Sequence, residues 1–384
     1  MLTIEKITTR EGFEQLGSVW NPLLEASASN NLMLTWEWLT TWWDVFGDER
    51  ELYLLLVRDG DELIGIAPLL RRAVQHYGLL PFERLEFLAS GEDEADEICS
   101  DYLDFILRRG REAEALSAIF RHLCEQETEW DEWLLTDISA ESPNLPLIEK
   151  LGCQKGMKWE VTRRQICVYC PLPNDWETFL HRLRPTFRNR IRRERRRLQQ
   201  YDCELRVIES EEGFAENFEI LIHLHQARWN SRGQPGVFSS EKFTRFHRLV
   251  APKLLRQGWL RLYVLLLDGE PVSTYYGFIY HGKVYFYQAG CVDGDKRIYS
   301  PGTIIKSFAI EHSIAAGCSE FDMLKSAPDS YKFRWGGATR GIIQARLAPH
   351  QTKETFYQMA AKCTAGLRQI KSAMQRRATA SDQL

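Results

Sequence analysis

"LYLLLVRDGDELIGIAPLL", Leu52 to Leu70, and "LRLYVLLLDGEPVSTYYGFIY", Leu260 to Tyr280, spell one pattern twice. Each is an apolar run, an Asp-Gly pair and a second apolar run. Asp-Gly between such runs signals a β-hairpin, because these residues tolerate the positive φ angles that a tight turn demands. A second copy about half a chain later implies two similar modules. Helical patterns precede both hairpins: Glu11 to Ala26 and Thr35 to Phe46 before the first, Glu212 to Asn230 and Ser240 to Gln257 before the second. A further strand and a helix follow each, the helices covering Arg111 to Gln126 and Gly302 to Ala316. The predicted fold is therefore α/β of the mixed, α+β kind, with two tandem modules, each a mostly antiparallel mixed sheet flanked by helices. Proline-rich "PLPN", Pro171 to Asn174, predicts the boundary, dividing 1–170 from 171–384.

Composition agrees with this size of fold. The chain has 384 residues, 44% hydrophobic and 27% charged, enough for more than one core. No 18-residue apolar run occurs, and "MLTIEKITTREG" lacks the basic and apolar regions of a signal peptide. A cytoplasmic protein without a membrane span is expected. The nine cysteines have no disulfide-framework spacing, which suits a reducing compartment. Cys167 and Cys170 form a C-x-x-C, but no second ligand pair follows at a zinc spacing and the surroundings are β-rich, so both read as buried hydrophobes. No metal is expected.

"RLRPTFRNRIRRERRRLQQ", Arg182 to Gln200, carries nine arginines and one glutamate, yet the whole chain has a net charge of −4. Nucleic-acid binders usually spread positive charge over a face, whereas here it is confined to one segment of an otherwise acidic chain. Pro185 suits a first helical turn, and Phe187, Ile191 and Leu198 form a narrow apolar stripe. The arginines are therefore expected on a surface helix that docks by one edge, without a DNA partner, and able to steer an anionic substrate.

Chemistry concentrates in "GKVYFYQAGCVDGDKRIYSPGTIIKSFAIEHSIAAGCSEFDML", Gly282 to Leu324. A strand ends near Cys291, a polar loop holds Lys296 and Arg297, and "YSPG" opens a helix with Ser300 as N-cap and Pro301 at N1. Such an N-terminus is a ready anion site, although an ordinary capped helix has the same signature. The chain has neither a Walker loop nor G-x-G-x-x-G.

"HQARWNSRG", the Asp-Gly hairpin, "YFYQAGCVDGDKRIYSPG", "AAGCSEFDML" and "YKFRW" together resemble the CelD-like branch of the GNAT acyltransferase superfamily, relatives of the FemABX transferases. "TWEWLTTWWDVFG" and "LIGIAPLLRR" extend the resemblance into the first half, so it covers nearly the whole chain. It implies tandem GNAT-like modules and an acyl-CoA co-substrate, acetyl-CoA in the first instance. The donor site is expected in the second module alone, because the first has no Ser-Pro-Gly helix start. Backbone at Tyr287, Ala289 and Gly290 is expected to hold pantetheine, and Arg297, Ser300, Pro301, Gly302 and Thr303 the pyrophosphate.

An amine acceptor must lose a proton, so His225, Asp322 and His247 are weighed as bases. His247 lies on an apolar stripe and reads as structural. Arg228 and Trp229, at i+3 and i+4 from His225, match the family's pattern and are expected at the substrate. Tyr331, Lys332 and Trp335 follow the last strand of the motif. Tyr331 and Lys332 are candidates to hold an acceptor anion or to protonate the thiolate. Ser326 stands where the family often has glycine, which leaves the width of the acceptor pocket open. The expected activity is acyl-CoA-dependent N-acyl transfer to an amino sugar or sugar nucleotide of polysaccharide or cell-envelope assembly. Aminoacyl-tRNA-dependent transfer is the alternative, and a non-catalytic component of a polysaccharide-synthesis machine the third.

Overall fold

The computed structural model describes residues 2–78, 80–126, 129–349 and 353–359. In the first half, β1 (Leu2–Ile7) is followed by helices α1 (Arg10–Glu14), α2 (Gly17–Glu25) and α3 (Trp36–Phe46). Next come β2 (Glu51–Asp59), β3 (Glu62–His76), β4 (Leu80–Phe87), a short β5 (Ile106–Leu107), α4 (Glu112–Glu125), β6 (Glu132–Ser139) and α5 (Asn144–Gln154). β7 (Lys158–Pro171) closes the first half, and the second runs α6 (Trp176–Arg182), α7 (Pro185–Leu198), β8 (Cys203–Ile208), α8 (Phe214–Asn230) and α9 (Glu241–Arg256). It ends with β9 (Leu260–Leu267), β10 (Glu270–Tyr280), β11 (Lys283–Cys291), α10 (Pro301–Ala315), β12 (Glu320–Ser326) and β13 (Ala338–Ala348). The single helix expected from Glu11 to Ala26 is two helices, α2 restarting at Gly17.

One mixed sheet takes in both halves, in the order β1-β2-β3-β4-β6-β13-β7-β12-β11-β10-β9-β8. The halves repeat each other: β1 to β4 and β8 to β11 are antiparallel meanders, and each passes to a parallel fifth strand, β6 beside β4 and β12 beside β11. At the centre the halves exchange strands. β7 pairs with β12 of the second half, while β13 pairs with β6 of the first, both antiparallel, and β7 pairs with β13.

The cores also cross the seam. Trp38 of α3 is fully buried and meets Phe246, Phe278 and Tyr287 of the second half edge-on, with ring centroids at 4.9, 5.6 and 6.1 Å. Each such aromatic pair adds roughly 0.5–1.5 kcal/mol beyond its buried area, so α3 clamps the halves together. Lys253 Nζ of α9 donates to Thr41 Oγ1 of α3 at 2.8 Å beside this contact.

The arginine helix is α7, with Pro185 in its first turn. Phe187, Ile191 and Leu198 are buried as their spacing requires, and the stripe is completed by buried Glu194, whose carboxylate accepts the Tyr299 N–H at 3.0 Å. Arg195 lies between Trp176 and Phe308 and pairs with Glu311 at 2.6 Å. Arg192 pairs with Glu177, and Arg197 donates to the Lys296 carbonyl. Much of this positive charge therefore fastens α7 to α6, α10 and the loop before α10.

Candidate active site

Two irregularities open the sheet where a site forms. β11 and β12 pair in parallel only over Lys283 to Tyr285 and Glu320 to Asp322, and both strands continue beyond. Across from β10, Tyr276 faces Gln288 and Gly277 faces Phe286, which leaves Tyr287 as an extra, bulged residue. A bulge shifts the alternation of side chains by one. Phe286 lines the cleft before it and Ala289 and Cys291 line it after. In β12 the register with β7 shifts between Asp322 and Lys325, and Leu324 takes a left-handed φ of 59°. Asp322 Oδ1 accepts the Leu324 N–H at 2.7 Å and steadies that turn. Lys332 Nζ donates to the carbonyls of Met323 and Lys325 at 2.5 and 2.6 Å, which stabilises β12 where it has left its neighbour.

The splay leads into a cleft of about 590 Å³ between β11, α7, α8, α10 and the turn around Tyr331. Ser300, Pro301, Gly302 and Thr303 line it, and the Ser300 side chain makes no capping hydrogen bond. Ser300 is the N-cap residue, as expected, but its hydroxyl leaves the first turn uncapped. Its ψ of 58° departs from the extended conformation usual at an N-cap. A Cβ built on Gly302 meets only Cys291 Sγ at 3.7 Å and Arg228 Nη1 at 3.8 Å, so it projects into open cleft. Arg190, Arg228, Arg232 and Arg334 also line the cleft, against the single carboxylate of Asp293. Arg228 Nε is buried without a hydrogen-bond partner among the described residues. The Thr303 N–H is taken by the Ser300 carbonyl at 2.9 Å, so the Gly302 N–H and the positive end of α10, beside the guanidiniums, form a site for a phosphorylated ligand.

The inner wall is aromatic. Trp335 is buried edge-on against Phe187 at 5.0 Å, and Tyr331 is half exposed. Between them stands Lys306, 3% exposed, its Nζ 3.7 Å from the Phe286 ring centroid and 3.3 Å from the Tyr331 hydroxyl. Burial pushes the Lys306 ammonium well below the usual lysine range, and nearby Lys332 pushes it the same way.

Of the residues anticipated from sequence, Ala289, Ser300, Pro301, Gly302, Thr303, Arg228, Tyr331 and Trp335 meet in this cleft. The others lie elsewhere. The Arg297 guanidinium is committed to Asp295 at 2.9 Å, Glu270 at 2.7 Å and Asp268 at 3.4 Å. Gly290 lies against α8, where a Cβ would come within 2.6 Å of the His225 nitrogen. The Tyr287 ring points to the opposite face, into the core shared with Trp38. Trp229 is exposed beside His225, whose ring is buried edge-on against Phe238 and bonded to Gln226 Oε1 at 3.0 Å. Burial lowers the pKa of His225.

His247 is fully buried, and the Tyr287 hydroxyl donates to the Ile98 carbonyl, so it accepts the Nε2–H of His247. Nδ1 then accepts from the Tyr276 hydroxyl at 3.0 Å. With both nitrogens satisfied, this histidine is part of the core. Cys167 and Cys170 are likewise buried, their thiols donating to Asp101 at 3.6 Å and to the Trp335 carbonyl at 3.3 Å. Among the described residues, no group of three or more His, Cys, Asp or Glu is placed to hold a metal ion, and no helix is long and apolar enough to cross a membrane.

Asp322 opens onto a second cleft of about 240 Å³ between the halves, shared with Asn31, Tyr102, Glu141, Tyr285 and Arg340. Tyr285 and Phe286 are successive strand residues, so this cleft and the larger one lie on opposite faces of β11. The Tyr102 hydroxyl donates to Asp322 Oδ2 at 2.7 Å and Arg340 stands at 3.4 Å. Burial nonetheless pushes this carboxyl up to about 6.

Sequence reasoning passed over Arg190, Arg232, Arg334 and Lys306. The position of Lys306, four residues after Gly302 and so on the same face of α10, was an available signal.

Residues 185–333 match the family described as Acetyltransferase (GNAT) domain. No curated protein matches the chain in sequence. Among solved structures the chain is similar to FemX, at 12% identity over 93% of this chain and 99% of that one, with a TM-score of 0.62. It is also similar to L-PGS from Bacillus licheniformis (12% identity, 92% and 96% covered, TM-score 0.53). A conserved protein of unknown function from Bacteroides thetaiotaomicron is comparable (12%, 91% and 100%, TM-score 0.52). At these identities the likeness is one of fold, and it extends through both halves.

Proposed function

Taking the chain as a GNAT-related transferase with the architecture of FemX, we propose that it is an acyl-CoA-dependent N-acyltransferase. The observation that carries this reading is the uncapped first turn of α10, open to the larger cleft at Gly302 and ringed by Arg190, Arg228, Arg232 and Arg334. In this reading the Gly302 N–H and the positive end of α10 hold the donor's pyrophosphate, the arginines its remaining charge, and the backbone of β11 around Ala289 its pantetheine arm.

The acceptor amine enters from the second cleft and meets the thioester where β11 and β12 part. The C–N bond forms, the C–S bond breaks, the amine gives up a proton and the departing thiolate takes one. Asp322, raised to about 6 by burial, suits the role of proton acceptor near neutral pH. The departing thiolate takes its proton from water in the open cleft, and Lys332 positions β12. We assign His225 a supporting role within α8. Rate enhancement then comes chiefly from holding amine and thioester in register. The acceptor is an amino sugar or sugar nucleotide of cytoplasmic polysaccharide or envelope-precursor assembly, a class that the hydroxyl, amide and charged lining of the second cleft suits.

A second reading, aminoacyl-tRNA-dependent transfer, is favoured by the outward arginines of α7. Isothermal titration with acetyl-CoA, free CoA and bulk tRNA separates the two. The proposal expects CoA binding and only weak, salt-sensitive tRNA binding. Tight tRNA binding at physiological salt with no response to CoA overturns it.

A further inference from the structure

Lys306 is at odds with Lys325, a half-buried lysine of β12. Lys325 is surrounded by carboxylates, with Asp137 at 2.7 Å, Glu97 at 3.1 Å and Asp101 at 3.3 Å. Lys306 is 3% exposed, yet no Asp or Glu is bonded to it among the described residues. Its surroundings are the rings of Phe286, Tyr331 and Trp335, with centroids at 3.7, 4.7 and 6.0 Å. Aromatic faces stabilise an ammonium in part, but a buried cation ordinarily has an anion. Lys306 lines the cleft, so that anion can come from a ligand.

Resting on the acyl-CoA reading above, we propose that Lys306 Nζ and the Tyr331 hydroxyl form a carboxylate-binding subsite, and that the preferred acyl group carries a carboxylate at its far end. The substrate class is the CoA thioesters of short dicarboxylic acids. Tyr331 accepts from Lys306 at 3.3 Å, which leaves the phenol's own proton free. A planar carboxylate takes one hydrogen bond from Nζ and one from this hydroxyl. The donor's phosphates are served separately, at the first turn of α10 and by the arginines. Lys306 lies one helical turn further along, behind aromatic rings that a doubly charged, strongly hydrated phosphate enters at high cost. Burial disfavours the charged amine in the free protein, and the arriving carboxylate favours it.

The test is isothermal titration of the full chain with free CoA, acetyl-CoA and succinyl-CoA. The parent should bind succinyl-CoA at least about 10-fold more tightly than acetyl-CoA, the scale of one charge-assisted hydrogen-bond pair. In Lys306→Met, whose side chain suits the aromatic surroundings, the affinity ratio should fall to about 1. Tyr331→Phe, at a half-exposed position that the fold tolerates, should lower the ratio in part. Equal affinities in the parent, or a preference that survives Lys306→Met, overturn the subsite while free CoA still binds. If free CoA does not bind, the donor reading fails and the subsite fails with it.

Discussion

Gly302→Val tests the donor site at its narrowest point. In the parent, the space beyond the glycine is open, with Cys291 Sγ at 3.7 Å and Arg228 Nη1 at 3.8 Å from an added Cβ. The β-carbon alone therefore fits, and Gly302→Ala should bind CoA nearly as the parent does. Valine adds two methyl groups that project into the volume over the first turn of α10, where a phosphate must come within hydrogen-bond distance of the Gly302 N–H. Losing one charge-assisted hydrogen bond, at about 1.5–3 kcal/mol, lowers affinity by roughly 10- to 100-fold. The fold should not suffer, since valine is a slightly better helix residue than glycine, by about 0.3 kcal/mol. Titration calorimetry with CoA, paired with urea unfolding of the same preparation, gives both quantities. A folded Gly302→Val protein that binds CoA as tightly as the parent refutes the reasoning.

The cleft arginines and the outward ones should separate: Arg190→Gln with Arg228→Gln should weaken CoA binding by about 10-fold or more, whereas Arg193→Gln with Arg196→Gln should leave it unchanged and reduce only salt-dependent tRNA binding. Gly290→Ala should destabilise the protein by about 1–3 kcal/mol in urea unfolding, because its Cβ would press on the His225 nitrogen at 2.6 Å and Leu224 Cβ at 2.7 Å; a neutral result means α8 can draw back from β11. Asp322→Asn should lower kcat/KM by about 100-fold and remove the acidic limb near pH 6 while CoA still binds, and His225→Gln should keep that limb; an intact limb in Asp322→Asn removes Asp322 from proton transfer. Burial holds His225 neutral below its usual pKa, so the unfolded chain binds a proton there first, and its contribution, present above about 6.5, is lost as pH falls through the window below. Relative to His225→Gln, the parent should lose up to about 1.4 kcal/mol per pH unit there, and a pH-independent difference in unfolding free energy counts against this.

Local chemistry made much of the architecture legible. The two Asp-Gly turns mark β2–β3 and β9–β10 because a tight turn needs particular residues at particular positions. The helices α3, α4, α8, α9 and α10 follow from periodicity, and the apolar stripe Phe187, Ile191, Leu198 foretold the buried edge of α7. Ser300 to Thr303 could be picked out as a cleft-lining helix start because Ser-Pro-Gly acts on its own first turn. The exchange of β7 and β13 was not legible, since strand pairing across such a separation leaves no mark on either segment's own pattern. Charge partners depend on distant segments in the same way. Arg297 looks free in a loop but is consumed by Asp268, Glu270 and Asp295, whereas Lys306 looks like an ordinary helix residue but is buried with no carboxylate bonded to it among the described residues. Asp322 acquires Tyr102 as a partner only because the halves share one sheet. Periodicity reports which face of an element is buried; which charges are left for a ligand is decided where remote elements meet.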